Sequence, residues 1–578
     1  MRVDANDQAR ARRRALTALL MILAVTVIAG CGSSHGSGTS ADPATVVPAS
    51  SPIYAGAVLR PEGSLKSSAS AAGRALTHQP DPYLRLLTVL QTPGSAPLDF
   101  SHDVAPWLGP NGGIFLASVN DAAGKSSTGQ LFSLLSEGLL GGASAALPFP
   151  FSAQGTQGAI VLDTSNAGKA ESFLDSQAKR AGAHAASYRG VAFQVTPGGI
   201  AFALVDRFAV IGSEAGLHDV IDTTLGGSSL AHASGYAKLL AVAPPGTLAH
   251  ISVNPGIAAS ASQGLGGVLG LLAGTREANI SLVPSATSIA LDADALAADS
   301  AAASGGLVAS ATQGAQIAGE LPGESWLALG LGNVSTGLGG DVRSLRGLSS
   351  IAGAGGEARA AAGLSVKGLL EAVLTPLGAL GADTAEAKRE FQSWMGSAAV
   401  FASGSGLIDL KAGIVITSTN PALSRAAVAE LAAVLRKGGA STSPVSYPGA
   451  EASVGVNFTG LPVTLDVVDA RGAHGQTKFV IGLTEASVAS ALNPSTTLSS
   501  SASYSAASAA LGEGIKPSVI VDFPTLLGLL ESVGLSEEPA ISKFVPYAHA
   551  LTTLAGGGKS LGEGIERFRL VLGLAQAG

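Results

Sequence analysis

The chain repeats itself, and always in the same order. The segment "GAIVLDTSN" at 158–166 returns as "AGIVITSTN" at 412–420, and each copy runs into an Ala-rich helical pattern. "PWLGPNGGIFLAS" (106–118) is matched by "SWMGSAAVFASGS" (393–405), and "SYRG" (187–190) by "SYPG" (446–449). "RFAVIGSEAGLHDVID" (207–222) is matched by "KFVIGLTEASVASALN" (478–493). Tyr236 in "SGYAKL" pairs with Tyr504 in "ASYSAA", "AHISVNP" (249–255) with "PSVIVDFP" (517–524), and "LLAG" (271–274) with "TLAG" (553–556). "VPASSPIYAGAVLRP" (47–61) opens the first set and "LPGESWLALGLGN" (321–333) the second. Ordered self-similarity over this distance reads as two copies of one arrangement of elements. The spacing between copies varies because each carries an apolar insertion at a different place: "GQLFSLLSEGLLGGASAALPFPF" (129–151) follows Trp107, whereas "SVKGLLEAVLTPLGALG" (365–381) precedes Trp394.

Within a copy the periodicities alternate. "GAIVLDT", "GVAFQV", "IAFALVD" and "FAVIGS" are short β-branched and aromatic runs, mostly bounded by Gly, which reads as antiparallel strands with one buried face. The stretches 167–183 and 213–225 read as helices, the second capped by Ser213. The expected fold is therefore α+β: two homologous repeats, each an antiparallel sheet with helices packed mainly on one face. Trp107 and Trp394, at matching positions, read as core anchors.

The N-terminus has a separate logic. Arg10, Arg12, Arg13 and Arg14 precede the apolar run 15–30, which ends in Ile28-Ala29-Gly30-Cys31. That run is too short for a spanning helix and has the length of a signal-peptide core. Its ending resembles the bacterial lipobox, in which small residues precede the cysteine that receives a diacylglyceryl group and becomes the mature N-terminus. Cys31 is the only cysteine in the chain, so it is read as a lipidation site with no disulfide role. Two acyl chains give stable membrane anchoring where one does not. The paired Arg12-Arg13 leaves the export route, general or twin-arginine, open. Residues 32–50 are Gly/Ser-rich and then Pro-containing, as a flexible tether is. The resulting organisation is 1–30 signal peptide, 31–46 lipidated Cys and tether, 47–318 repeat one and 319–578 repeat two. It places the body at the extracytoplasmic face of the cell membrane.

The segments "VPASSPIYAGAVLRP", "DVAPWLG", "SYRGVAFQV", "VDRFAVIGSEAGLHDVID" and "SLAHASGYAKLL" resemble the bacterial domain-of-unknown-function family 3352, whose members are exported or membrane-attached. The resemblance covers most of residues 45–575 and supplies no catalytic residues.

Composition excludes several functions. The net charge is −7 and becomes about −10 once residues 1–30, with five Arg and two Asp, are removed. Beyond residue 30 there is no basic run or basic–aromatic interleaving, so nucleic acid is not expected as a partner. The nine histidines are scattered and none is paired at i, i+4, so neither a metal site nor a cofactor is expected. "GSSHG" (32–36) fits a nucleophile-elbow pattern but lies in the tether, and "GGGKS" (556–560) lacks the leading Gly of a phosphate loop. Asp292 and Asp294 in "ALDADAL" alternate with apolar residues and are expected on an exposed strand face.

What remains is a set of soft amphipathic helices. Val366, Leu369, Leu370, Val373 and Leu374 follow helical spacing; Leu265, Val268, Leu269 and Leu272 start the same pattern, as do Leu526, Leu527 and Leu530. Interspersed Gly weakens them, at roughly 1 kcal/mol each relative to Ala. They either cover the sheets or line an apolar groove. The sequence thus points to a non-enzymatic, membrane-anchored envelope lipoprotein that binds a lipid or other apolar ligand. A scaffold for another envelope protein is the alternative, and an envelope hydrolase a third.

Overall fold

The structure is a computed structural model that describes residues 40–77, 98–119, 151, 156–255, 275–298, 307–332, 393–406, 408–437, 439–457, 464–472, 475–532, 534 and 545–575. The chain forms two compact units: Met1–Ala298 with Gln576–Gly578, and Asp299–Ala575.

Unit 1 contains β1 (Ile53–Val58), α1 (Gly63–Thr77), β2 (Leu108–Val119), β3 (Thr156–Thr164) and α2 (Ala167–Arg180). A meander of β4 (His184–Tyr188), β5 (Val191–Val195), β6 (Ile200–Val205) and β7 (Phe208–Ser213) follows. Then come α3 (Glu214–Thr224), α4 (Ser234–Ala241), β8 (Ala249–Val253), β9 (Thr275–Pro284) and β10 (Ser288–Ala297). The strands pair antiparallel in the order β10-β9-β8-β1-β2-β3-β7-β6-β5-β4.

Unit 2 opens with α5 (Leu307–Gly319), β11 (Leu327–Leu331), β12 (Met395–Ser403), β13 (Lys411–Ser418) and α6 (Pro421–Lys437). β14 (Ser441–Ser443), β15 (Ala450–Asn457), β16 (Thr464–Arg471) and β17 (Thr477–Gly482) form its meander. α7 (Glu485–Leu492), α8 (Ala502–Leu511), β18 (Val519–Asp522), α9 (Phe523–Ser532), α10 (Val545–Ala548), β19 (Leu551–Gly562) and β20 (Ile565–Leu574) complete it. Its antiparallel order is β20-β19-β18-β11-β12-β13-β17-β16-β15-β14.

The expected α+β fold of two repeats, each an antiparallel sheet with helices packed mainly on one face, is overturned. The described residues are strand-rich, and the strands of each unit pair antiparallel throughout. Helices lie on both faces. In β3, Ile160 and Leu162 pack with Phe173 and Leu174 of α2, whereas Ala159 and Val161, pointing the other way, pack with Leu217, Val220 and Ile221 of α3. β7 and β17 are buried at all six positions. A strand covered on both sides reads as a continuous apolar run, which is the form "FAVIGS" takes. Reading one buried face from such runs missed the second layer.

Local chemistry fixes the helix starts. Ser213 accepts a hydrogen bond from the Gly216 N–H at 3.0 Å, and Thr484 accepts one from the Ser487 N–H at 3.2 Å. Trp107 and Trp394 are each 1% exposed and pack at a tilt against Phe173 and Phe479, with ring centroids 5.0 Å apart in both pairs. They anchor α2 and α6 to their sheet faces.

Packed chain begins before residue 47. Ala44 and Val47 are fully buried, and the Ala41 N–H donates to Asp163. Residues 41–46, read from sequence as tether, are therefore part of unit 1. The corresponding entry into unit 2 is made by α5. The Leu230 N–H donates to the Val47 carbonyl, and the Leu498 N–H to the Leu321 carbonyl, each at 2.7 Å.

Candidate functional site

α5 rests directly on the sheet because two glycines face each other. A Cβ on Gly314 would lie 2.3 Å from the Gly330 carbonyl oxygen of β11, so neither position accepts a side chain without moving the helix. Gln313 and Gln316 lie three apart on α5 and share one face, and Glu320 follows in the turn just past its end. Beneath them the β12–β13 ladder shifts register between Met395 and Ala398. This bulge is held by Thr417, whose Oγ1 accepts from the Ser397 N–H at 2.9 Å and donates to the Ser397 carbonyl at 3.1 Å. Bulges re-aim side chains and recur beside functional sites.

Helix and bulge together bound a cleft of about 340 Å³, lined by Gln313, Gln316, Ile317, Glu320, Ser397, Thr417, Ser418 and Gln476. That volume is at the lower end of small-molecule sites. Among the described residues Ile317 is the one apolar lining side chain. On β17, Lys478 stands opposite Thr417 and places Nζ 3.2 Å from Glu320 Oε2, with its side chain only 6% exposed. The pair neutralises itself. The amide groups of Gln313, Gln316 and Gln476 have no hydrogen-bond partner among the described residues. The cleft therefore offers unspent donors and acceptors without net charge.

The matching place in unit 1 is filled. Asp163 occupies the β3 position that Thr417 occupies in β13, and its side chain is fully buried. Asp163 Oδ1 accepts from Arg207 Nε at 2.9 Å and lies 2.7 Å from Arg207 Nη2, and Oδ2 accepts from the Ala41 N–H at 3.3 Å. A Cβ on Gly109 would meet Asp163 Oδ2 at 2.6 Å, so glycine there makes room for the carboxylate.

The matched residues decide the family. The model described as protein of unknown function, DUF3352, matches residues 15–533. The chain belongs to the DUF3352 family. No curated protein and no solved structure matches it.

The sequence-derived site residues of this DUF3352 protein are not brought together. Cys31 lies outside the described residues, as do Leu265, Val268, Leu269 and Leu272, and Val366, Leu369, Leu370, Val373 and Leu374. Leu526, Leu527 and Leu530 are on α9: Leu527 is buried, and Leu526 packs with Leu529 against the Trp326 cluster. "GGGKS" lies inside β19. No described helix is long and apolar enough to cross a membrane. Asp292 and Asp294 reverse the expectation of an exposed face: both are 0% exposed, across the ladder from Ser281 and Asn279, which are also buried. Their alternation shows which residues share a face but not whether that face is covered.

Sequence reasoning missed the whole cleft. Its one legible signal was the spacing of Gln313, Gln316 and Glu320 in "ATQGAQIAGE". Other buried carboxylates do not converge. Asp466 and Asp469, both raised by burial, are three residues apart on β16 and so point to opposite faces. Asp466 is hydrogen-bonded to the Tyr447 hydroxyl, while Asp469 has Ser424 and Arg425 nearby.

Unit 1 also holds an aromatic polar cluster. Tyr236 Oη lies 3.0 Å from His250 Nε2, and Tyr54 packs edge-on to Tyr236 at 6.2 Å. A Cβ on Gly56 would meet His250 Cε1 at 2.7 Å, so the cluster is tightly enclosed. Burial pushes His250 below the usual histidine range, against a weaker pull from Asp42. Unfolded histidine titrates near ~6.5, so on acidification the unfolded chain takes up this proton first. This contribution to stability is present above ~6.5 and is lost as the pH falls toward the folded value. His250→Gln is expected to flatten the pH dependence of the denaturation midpoint between about pH 7 and about pH 5. An unchanged slope would contradict the assignment.

Proposed function

We propose that this chain is an exported, lipid-anchored protein of the cell envelope that binds a ligand without acting on it chemically. The observation that carries the binding role is the α5 cleft, with its uncommitted amide groups beside a Glu320 carboxylate neutralised by Lys478. Its described lining gathers hydroxyls, amides and the Glu320 carboxylate, which is itself committed to Lys478. Anchoring is supported by the order Arg10–Arg14, apolar run, small residues and Cys31. The matching strand order of the two units, and the ordered sequence matches, support descent of the units from one duplicated ancestor.

A second reading, an apolar ligand, is favoured by the amphipathic pattern of segments 265–272 and 366–374. Mass spectrometry of small molecules released from the purified full chain separates the two. A water-soluble ligand supports the cleft; a lipid above background supports the second reading. A stoichiometric protein partner instead would favour the scaffold role.

Cys31→Ser is expected to abolish incorporation of labelled palmitate and to release the protein from the membrane fraction. Persistent labelling would refute Cys31 as the anchor.

A further inference from the structure

We propose that the α5 cleft takes a neutral, polyhydroxylated ligand of the size of a mono- or disaccharide. This rests on the binding role proposed above and specifies the ligand class.

Elimination among chemistries leads there. An anionic ligand needs an available cation; among the described residues none lines the cleft, and the nearby Lys478 is buried and held 3.2 Å from Glu320 Oε2. A lipid tail needs apolar walls, and Ile317 alone supplies one. A nucleobase needs a stacking surface, and no aromatic side chain among the described residues lines the cleft. An extended peptide needs an open strand edge, but β12 is paired by β11 and β13, and β13 by β12 and β17. Hydroxyl groups donate and accept at once, which suits three amides that do the same. Gln313 and Gln316 reach down from α5, Gln476 borders the cleft from the turn before β17, and Ser397 is presented by the bulge. The Glu320–Lys478 pair then sets selectivity: it cancels the charge that would attract a phosphate and leaves an edge of the Glu320 carboxylate for hydroxyls.

Titration calorimetry of the full chain with glucose, maltose and glucose 6-phosphate tests this. At least one neutral sugar is expected to bind, more tightly than the phosphate. Gln316→Ala is expected to weaken that binding ~10-fold, the loss of one or two hydrogen bonds. Glu320→Gln frees Lys478 and is expected to raise glucose 6-phosphate affinity by ~10-fold relative to the unaltered chain. Circular dichroism of both variants separates loss of binding from loss of fold. Preference for the phosphate by the unaltered chain, or no response to either neutral sugar, overturns the ligand class. If a released small molecule is still lost on filling the cleft, the binding role survives that failure; if nothing is lost, both fall.

Discussion

Trp107→Ala is expected to destabilise unit 1 by about 3–5 kcal/mol. The side chain is 1% exposed and packs between the β2–β3 face and α2, with Phe173 at 5.0 Å. Its indole N–H also donates to the Asp103 carbonyl at 2.8 Å, which ties the turn before β2 to the core. Truncation removes the transfer energy of a large aromatic and leaves a cavity between elements that are themselves hydrogen-bonded and cannot collapse. Trp107→Phe keeps most of the apolar volume and loses the hydrogen bond, so it should cost clearly less. Guanidinium unfolding followed by circular dichroism reads both variants. A loss below about 1 kcal/mol for Trp107→Ala would show that the anchor is dispensable.

Arg207→Leu is expected to cost about 3 kcal/mol, because it strands a carboxylate with no solvent access. Asp163 is fully buried, and both Arg207 contacts fall on the same oxygen, Oδ1. Arg207 is itself a third exposed, so water offsets part of the loss and the lower end of the range applies. The same carboxylate holds the Ala41 N–H, so unpairing it also loosens the first packed residues of the chain. The double variant Asp163→Leu with Arg207→Leu should recover most of the stability, since an apolar pair of similar volume has no desolvation penalty. If Arg207→Leu alone were neutral, the ion pair would not be what closes this end of unit 1.

Much of the secondary structure was legible. "FAVIGS" became β7, and 213–225 became Ser213 with the helix Glu214–Thr224, because apolar periodicity and a side-chain cap are local properties. The layering was not. Continuous apolar runs say that a strand is covered, but the partner on each face is set by distant helices. Register was also beyond the text. Aligning "RFAVIG" with "KFVIG" sets Phe208 against Phe479, whereas the ladders place Phe208 opposite Asp163 and Lys478 opposite Thr417. A one-residue slip on a strand changes which face a side chain occupies, so Lys478 could not be placed beside Glu320 from the letters alone. The cleft depends on a bulge and on a glycine-to-glycine seat for α5, neither of which leaves a periodic trace.

The claim that joins these observations is that the α5 cleft of unit 2 is where the protein binds its ligand. Gln316 is exposed on the helix surface, so a larger side chain there can fill the cleft without entering the core. Native mass spectrometry of the full chain in detergent, compared with Gln316→Trp, measures occupancy directly. The account predicts a water-soluble adduct on the unaltered chain that is absent from Gln316→Trp at equal thermal stability. An adduct carried equally by both, or by neither, would contradict it.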